Sequence, residues 1–230
     1  MSALSRILSG ALIAGFLAGL VAATLQLVFI QPVLLTAELY ESGQVAAGES
    51  PVVPAPGFDG LRDGLSVMFS ALVYVGYGLV LLAIMAVASE RGWARVDGRA
   101  GVVWGLAGFV TVQLAPALGL PPELPGMSAA ALEPRQAWWT ICVLLSGLGC
   151  ALIGFGRNWM FWGAGIVCLA APQLIGAPSP ETMAGPVPPE LAAEFAARAL
   201  GAGLVAWTCL GALSGRLWSE EAGRPALKQA

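Results

Sequence analysis

The feature that most constrains this chain is the length of its uncharged runs. Residues 7–30 contain no Asp, Glu, Lys or Arg. A helix of that length extends about 36 Å, enough to cross a hydrocarbon core of roughly 30 Å with some tilt. Four further charge-free runs follow, at 65–89, 100–120, 137–155 and 159–175. A sixth apolar stretch, 195–217, carries only Arg198 and Arg216. These stand about 27 Å apart along a helix, so each guanidinium can reach its own interface. Composition agrees: 57% of the 230 residues are apolar and 11% are charged, against roughly 25% charged in a soluble domain. The pattern predicts an all-α polytopic membrane protein with six transmembrane helices arranged as three hairpins. Five is the alternative, if the Pro172-broken run at 159–175 is re-entrant. The first run far exceeds the apolar core of a cleavable signal peptide and is expected to stay as a span.

Basic residues set the orientation. With both termini cytoplasmic, the inner segments hold Arg6, Arg91, Arg95, Arg99, Arg157, Arg216, Arg224 and Lys228, and the outer ones only Arg62, Arg135 and Arg198. Acids distribute the other way: Glu38, Glu41, Glu49, Asp59, Asp63, Glu123, Glu133, Glu181, Glu190 and Glu194 fall outside. Trp93, Trp104, Trp138, Trp139, Trp159, Trp162 and Trp218 lie near expected interfaces, as an aromatic belt requires, while Trp207 falls mid-span. The chain reads as one membrane-embedded domain, 1–230. It has a long acidic outer loop at 38–64 containing Pro51, Pro54, Pro56 and Gly57, and a cytoplasmic tail at 219–230.

The net charge of −3 leaves no basic field for nucleic acid. The chain has no histidine, the usual general base and divalent-metal ligand. Nucleophile-elbow and phosphate-loop motifs are also missing, and no enzyme activity or cofactor is expected. Cys142, Cys150, Cys168 and Cys209 form no C-x-x-C pair and are expected to be structural. Gly15 with Gly19, Gly101 with Gly105, and Gly211 with Gly215 are spaced for close helix contact.

Polar residues within the spans are the candidates for function. The outward-running helices are expected to end alike, at Gln31-Pro32, at Gln113 before Pro116, and at Pro172-Gln173, each followed by an acidic loop. Proline frees carbonyls in the turn before it, and helix C-termini present negative dipole ends. Gln26, Gln31, Gln113 and Gln173, with Glu38, Glu41 and Glu123, therefore compose a candidate cation-attracting vestibule. The competing interpretation is plain inter-helix hydrogen bonding.

At these same residues the chain resembles the CbtA family. The matching stretches are Leu25-Gln26-Leu27 with Pro32, Ala37-Glu38-Leu39-Tyr40-Glu41, Trp104-Gly105-Leu106-Ala107-Gly108-Phe109, Arg135-Gln136 with Trp138-Trp139, and Pro172 with Leu174-Ile175-Gly176-Ala177-Pro178. Longest is Leu114-Ala115-Pro116-Ala117-Leu118-Gly119-Leu120-Pro121-Pro122-Glu123-Leu124-Pro125-Gly126. The resemblance implies a multi-pass protein of a bacterial-type inner membrane that works in cobalt uptake beside a small one-span partner, CbtB. It also implies five spans. The family pattern has histidine before the Leu-Ala-Pro run and before Leu-Ile-Gly-Ala-Pro; here those positions are Gln113 and Gln173. An amide oxygen is a harder, weaker cobalt ligand than imidazole. The expected function is thus a membrane component of divalent-cation, nominally cobalt, uptake. The alternative is a non-transporting scaffold or accessory subunit that kept the fold and lost the metal site.

Overall fold

The uncharged runs fold as long helices because in hydrocarbon every backbone N–H and C=O must be satisfied within the segment. A computed structural model describes residues 3–45, 59–181 and 185–222. Its helices are α1 (Ala3–Leu25), α2 (Gln31–Glu41), α3 (Gly60–Glu90), α4 (Gly98–Phe109), the single turn α5 (Ala115–Ala117), α6 (Leu132–Phe155), α7 (Trp159–Ile175) and α8 (Pro189–Ala222). No strand occurs among the described residues. Two wide π-turns, Gln26–Ile30 and Val110–Leu114, join α1 to α2 and α4 to α5.

Five helical segments are long and apolar enough to cross a membrane: Ala3–Glu41, Gly60–Glu90, Gly98–Ala117, Leu132–Phe155 and Pro189–Glu220. The 17-residue α7 is a shorter apolar helix.

The first helix does not end at Pro32 as expected. It continues to Glu41, so Glu38 and Glu41 stand on helix rather than in the 38–64 loop. The reason is the π-turn. Proline lacks an N–H, and its ring clashes with the carbonyl four residues back. For Pro32 that is Val28 and for Pro116 it is Val112, the third residue of each wide turn. Widening the helix there accommodates the ring, and the Gln31 N–H reaches back five residues to Gln26 O. Pro172, by contrast, lies inside α7 without a π-turn. Residues 46–58, with Pro51, Pro54, Pro56, Gly57 and Glu49, lie outside the described residues, as do 223–230 of the tail.

The chain divides into two compact units. Unit 1 comprises Met1–Thr24, Leu61–Phe109 and Leu204–Ala230. Its helices meet through the spaced glycines. A Cβ on Gly15 would stand 2.5 Å from Val75 Cα, and one on Gly19 2.5 Å from Ala71 Cα, so α1 lies backbone to backbone on α3. Gly101 and Gly105 of α4 meet the Gly211 and Trp207 carbonyls of α8 in the same way. Close backbone approach gives dispersion contact where lipid removes the hydrophobic drive to associate. Trp207 is buried and stacks on Tyr77 at 4.8 Å, with Tyr74 edge-on to Tyr77 at 5.6 Å. Trp218 is buried too, with the Arg6 guanidinium 4.0 Å over its ring. It therefore belongs to the interior and not to the expected aromatic belt.

Unit 2 comprises Leu25–Gly60 and Val110–Gly203. Here α6 and α7 form a hairpin through Gly156–Asn158, where the Asn158 side chain caps α7 by accepting from Phe161 N–H at 3.2 Å. The hairpin closes on Gly149 and Gly165: a Cβ on Gly149 would lie 2.8 Å from Gly165 O. A second core gathers Val33, Ala37, Tyr40, Leu124, Val187 and Phe195.

Candidate functional site

All seven candidate residues fall in unit 2. Two of them share one short segment. Gln113 is the fourth residue of the second π-turn, and Ala115, two residues on, receives the side chain of Gln173. Gln173 Nε2 donates to Ala115 O at 2.8 Å and approaches Cys142 Sγ at 3.7 Å. Cys142 in turn lies 4.0 Å from Ser146 Oγ, and both residues have no solvent exposure. Gln173 thus faces protein rather than lipid.

Gln113 faces elsewhere. Its Oε1 occupies the space where a Cβ would sit on Gly203 of α8, so only glycine admits it. That oxygen is buried and accepts no hydrogen bond from the described residues. Its contact with the bare glycine backbone is at best of the weak Cα–H···O kind. A buried acceptor left without a donor costs ~1–3 kcal/mol.

Gln26 and Gln31 flank the first π-turn, both half-buried and both engaged in polar or ring contacts. Arg198 donates to Phe29 O of that turn at 2.7 Å and pairs with Glu194. It thus holds the widened backbone while its side chain stays partly exposed. Glu38 and Glu41 are exposed on α2, with the Glu41 stem against Gly126. Glu123 is ion-paired with Arg135 at 2.6 Å. Gln173 thus reaches the Ala115 carbonyl, Gln113 reaches Gly203, and Glu123 is held by Arg135.

The long run from Leu114 to Gly126 works as a cradle. Ala115 and Pro116 are buried. A Cβ on Gly119 would stand 2.7 Å from the Trp138 ring, so this glycine seats the indole. Trp138 Nε1 then donates to Pro172 O at 3.3 Å, which places Trp138 inside the unit and not in the belt. Gly126 turns the chain with φ +78°, a left-handed backbone suited to glycine.

Gly203 and the Ala115 carbonyl were not legible as site residues. One signal was present: Trp138, Cys142, Ser146 and Cys150 repeat every four residues and share a face of α6. Thr111 Oγ1 meets Cys150 Sγ on that face at 3.8 Å. Among the described residues, no three His, Cys, Asp or Glu side chains gather as a metal cluster.

Lipid-length apolar helices, π-turns at prolines and amides turned toward protein define a multi-pass membrane protein. The chain matches the family model described as "Probable cobalt transporter subunit (CbtA)" over residues 4–219. It belongs to the CbtA family. No curated protein and no solved structure matches it.

Proposed function

We propose that this chain is the membrane component of a divalent-cation uptake system, nominally for cobalt, without an ATPase or catalytic activity of its own. The observation that carries the reading is Gln113 Oε1, a buried acceptor with no donor among the described residues, in a family of probable cobalt transporter subunits. An unmet oxygen in a low-dielectric interior attracts a passing cation. On this reading Glu38, Glu41 and Glu123 collect cations at the outer mouth, and Gln26, Gln31, Gln113 and Gln173 line the route. The chain crosses a bacterial-type inner membrane six times as three hairpins, α7 included, with both termini cytoplasmic. It acts as one membrane-embedded domain beside a small one-span CbtB-like subunit.

The positive-inside distribution supports the orientation. Neutral amides support weak, reversible contact, which a transported ion needs in order to leave as well as enter. The test is radiolabelled cobalt accumulation in cells that depend on this protein. Expression is expected to raise accumulation above that of cells lacking it. Equal accumulation at normal membrane expression would instead favour the scaffold reading, as would a purified protein that binds no cobalt, nickel or zinc yet copurifies stoichiometrically with a larger complex.

A further inference from the structure

Residues 91–97, which connect α3 to α4, are held at both ends. The Gly92 amide donates back to Ser89 O at 3.0 Å, and the Trp93 and Ala94 amides donate to Ala88 O at 2.8 and 3.3 Å. Gly92 turns the chain there with φ +67°. At the other end Asp97 Oδ1 accepts from the Arg99 and Ala100 amides at 2.8 and 2.9 Å and so caps α4. Val96 is buried. This pinned backbone carries Arg91, Trp93, Arg95 and, in the first turn of α4, Arg99, all of them exposed. The Arg91 guanidinium lies 5.2 Å over the Trp93 ring, which is 57% exposed. Helix α8 brings a fourth arginine alongside: a Cβ on Gly98 would stand 3.5 Å from Arg216 Cβ. All of these residues belong to unit 1.

The acids on these segments are Glu90, Asp97 and Glu220. Glu220 pairs with Arg216 at 2.8 Å, and Asp97 is turned to the α4 amides. Arg91, Arg95 and Arg99 form no ion pair with a described residue, which sets three guanidiniums against Glu90. The patch lies where two lipid-length helices end. An exposed indole there suits the boundary between headgroups and acyl chains, and guanidinium meets phosphate in a planar, bidentate pair. Val87 and Val103, exposed on the adjoining parts of α3 and α4, offer apolar surface beside it. We propose that this patch holds the headgroup of an anionic phospholipid, with Arg91, Arg95 and Arg99 on the phosphate and Trp93 at the level of the glycerol. A free phosphate would use the arginines and leave the indole idle. The patch takes no part in the proposed ion route and stands whether or not the chain moves ions.

The experiment reconstitutes the purified full-length protein into phosphatidylcholine vesicles that contain a minor fraction of lipid brominated on its acyl chains, a contact quencher of indole fluorescence. The Trp93 share of the signal is the difference between the unmodified chain and Trp93→Phe. Brominated phosphatidylglycerol is expected to quench that share more strongly than brominated phosphatidylcholine at the same fraction, and the preference should shrink as salt rises. Arg91→Gln, Arg95→Gln and Arg99→Gln combined should weaken the association roughly 100-fold, about fivefold for each charge near the surface. Arg157→Gln, at the exposed arginine of the α6–α7 turn, should leave it unchanged. Equal quenching by the two lipids in the unmodified chain, which needs no arginine variant to fold, overturns the site. So does an Arg157→Gln chain that loses as much preference as Arg95→Gln, because that marks a general surface charge. A preference abolished by inorganic phosphate at constant ionic strength overturns the headgroup in favour of a free anion.

Discussion

Units 1 and 2 are built from similar apolar helices yet treat glycine and polar groups differently. In unit 1 the glycines weld backbone to backbone: Gly15 and Gly19 on α3, Gly101 and Gly105 on α8. In unit 2 several make room for side chains instead: Gly119 seats Trp138 and Gly203 admits the Gln113 amide. Both π-turns and all seven candidate residues belong to unit 2. The division is one of emphasis, since Gly149 also meets the Gly165 carbonyl in unit 2 and Gly108 seats the Trp207 ring in unit 1. What decides is whether a neighbouring backbone or a neighbouring amide fills the missing Cβ space.

That contrast breaks first at its strongest point. A Cβ on Gly211 would stand 2.5 Å from Gly105 N, with the Gly101 carbonyl closer still. Gly211→Val is expected to cost ~3 kcal/mol or more, the upper end of overpacking penalties. Thermal unfolding in detergent reads this as a collapse of the midpoint or loss of monodisperse protein.

Gly203→Ala is expected to act on function instead. The new methyl takes the place of Gln113 Oε1, and the flexible amide can move aside. Cobalt uptake should fall ~10-fold, the scale of losing an outer-shell partner at a metal site, with the midpoint little changed. A large fall in midpoint at normal uptake would make Gly203 another weld.

Ser214→Ala probes unit 1 in the opposite direction. Ser214 Oγ is buried and has no hydrogen-bond partner among the described residues. Removing an orphaned polar group should raise stability by about 1 kcal/mol, with uptake unchanged. Lost uptake would bring unit 1 into the transport path.

The smallest effect is expected at Glu123→Gln. Its ion pair with Arg135 is about a quarter exposed on each side, and such pairs contribute ~0.5 kcal/mol. Thermal midpoints compared at low and high salt should show a deficit that shrinks as salt rises.

Much of the fold was legible because lipid enforces helices wherever charge is missing. The run at 159–175 became α7 with the same bounds, and the spaced glycines became contacts. The end of the first helix was not legible. Proline reads as a stop, and nothing in Gln31-Pro32 says that a π-turn will absorb the ring and let the helix continue to Glu41. The tryptophans divided similarly: Trp139, Trp159 and Trp162 stay exposed, whereas Trp138 found Gly119 and a carbonyl partner distant in sequence. Of the site, Gln113 and Gln173 stood out as amides in apolar helices. Their neighbours Gly203 and Cys142 did not, because a small or soft residue in a membrane helix looks like packing until its partner is placed beside it.

The central claim is that the amides of unit 2 line an ion route. The measurement that meets it most directly is radiolabelled cobalt accumulation by Gln113→Ala with Gln173→Ala, normalised to folded protein in the membrane. Each hydrogen bond of this kind contributes only ~0.6 kcal/mol to stability, so the variant is expected to reach the membrane at normal levels. Accumulation should then be abolished in cells that rely on this protein. Unchanged accumulation at equal expression would contradict the account.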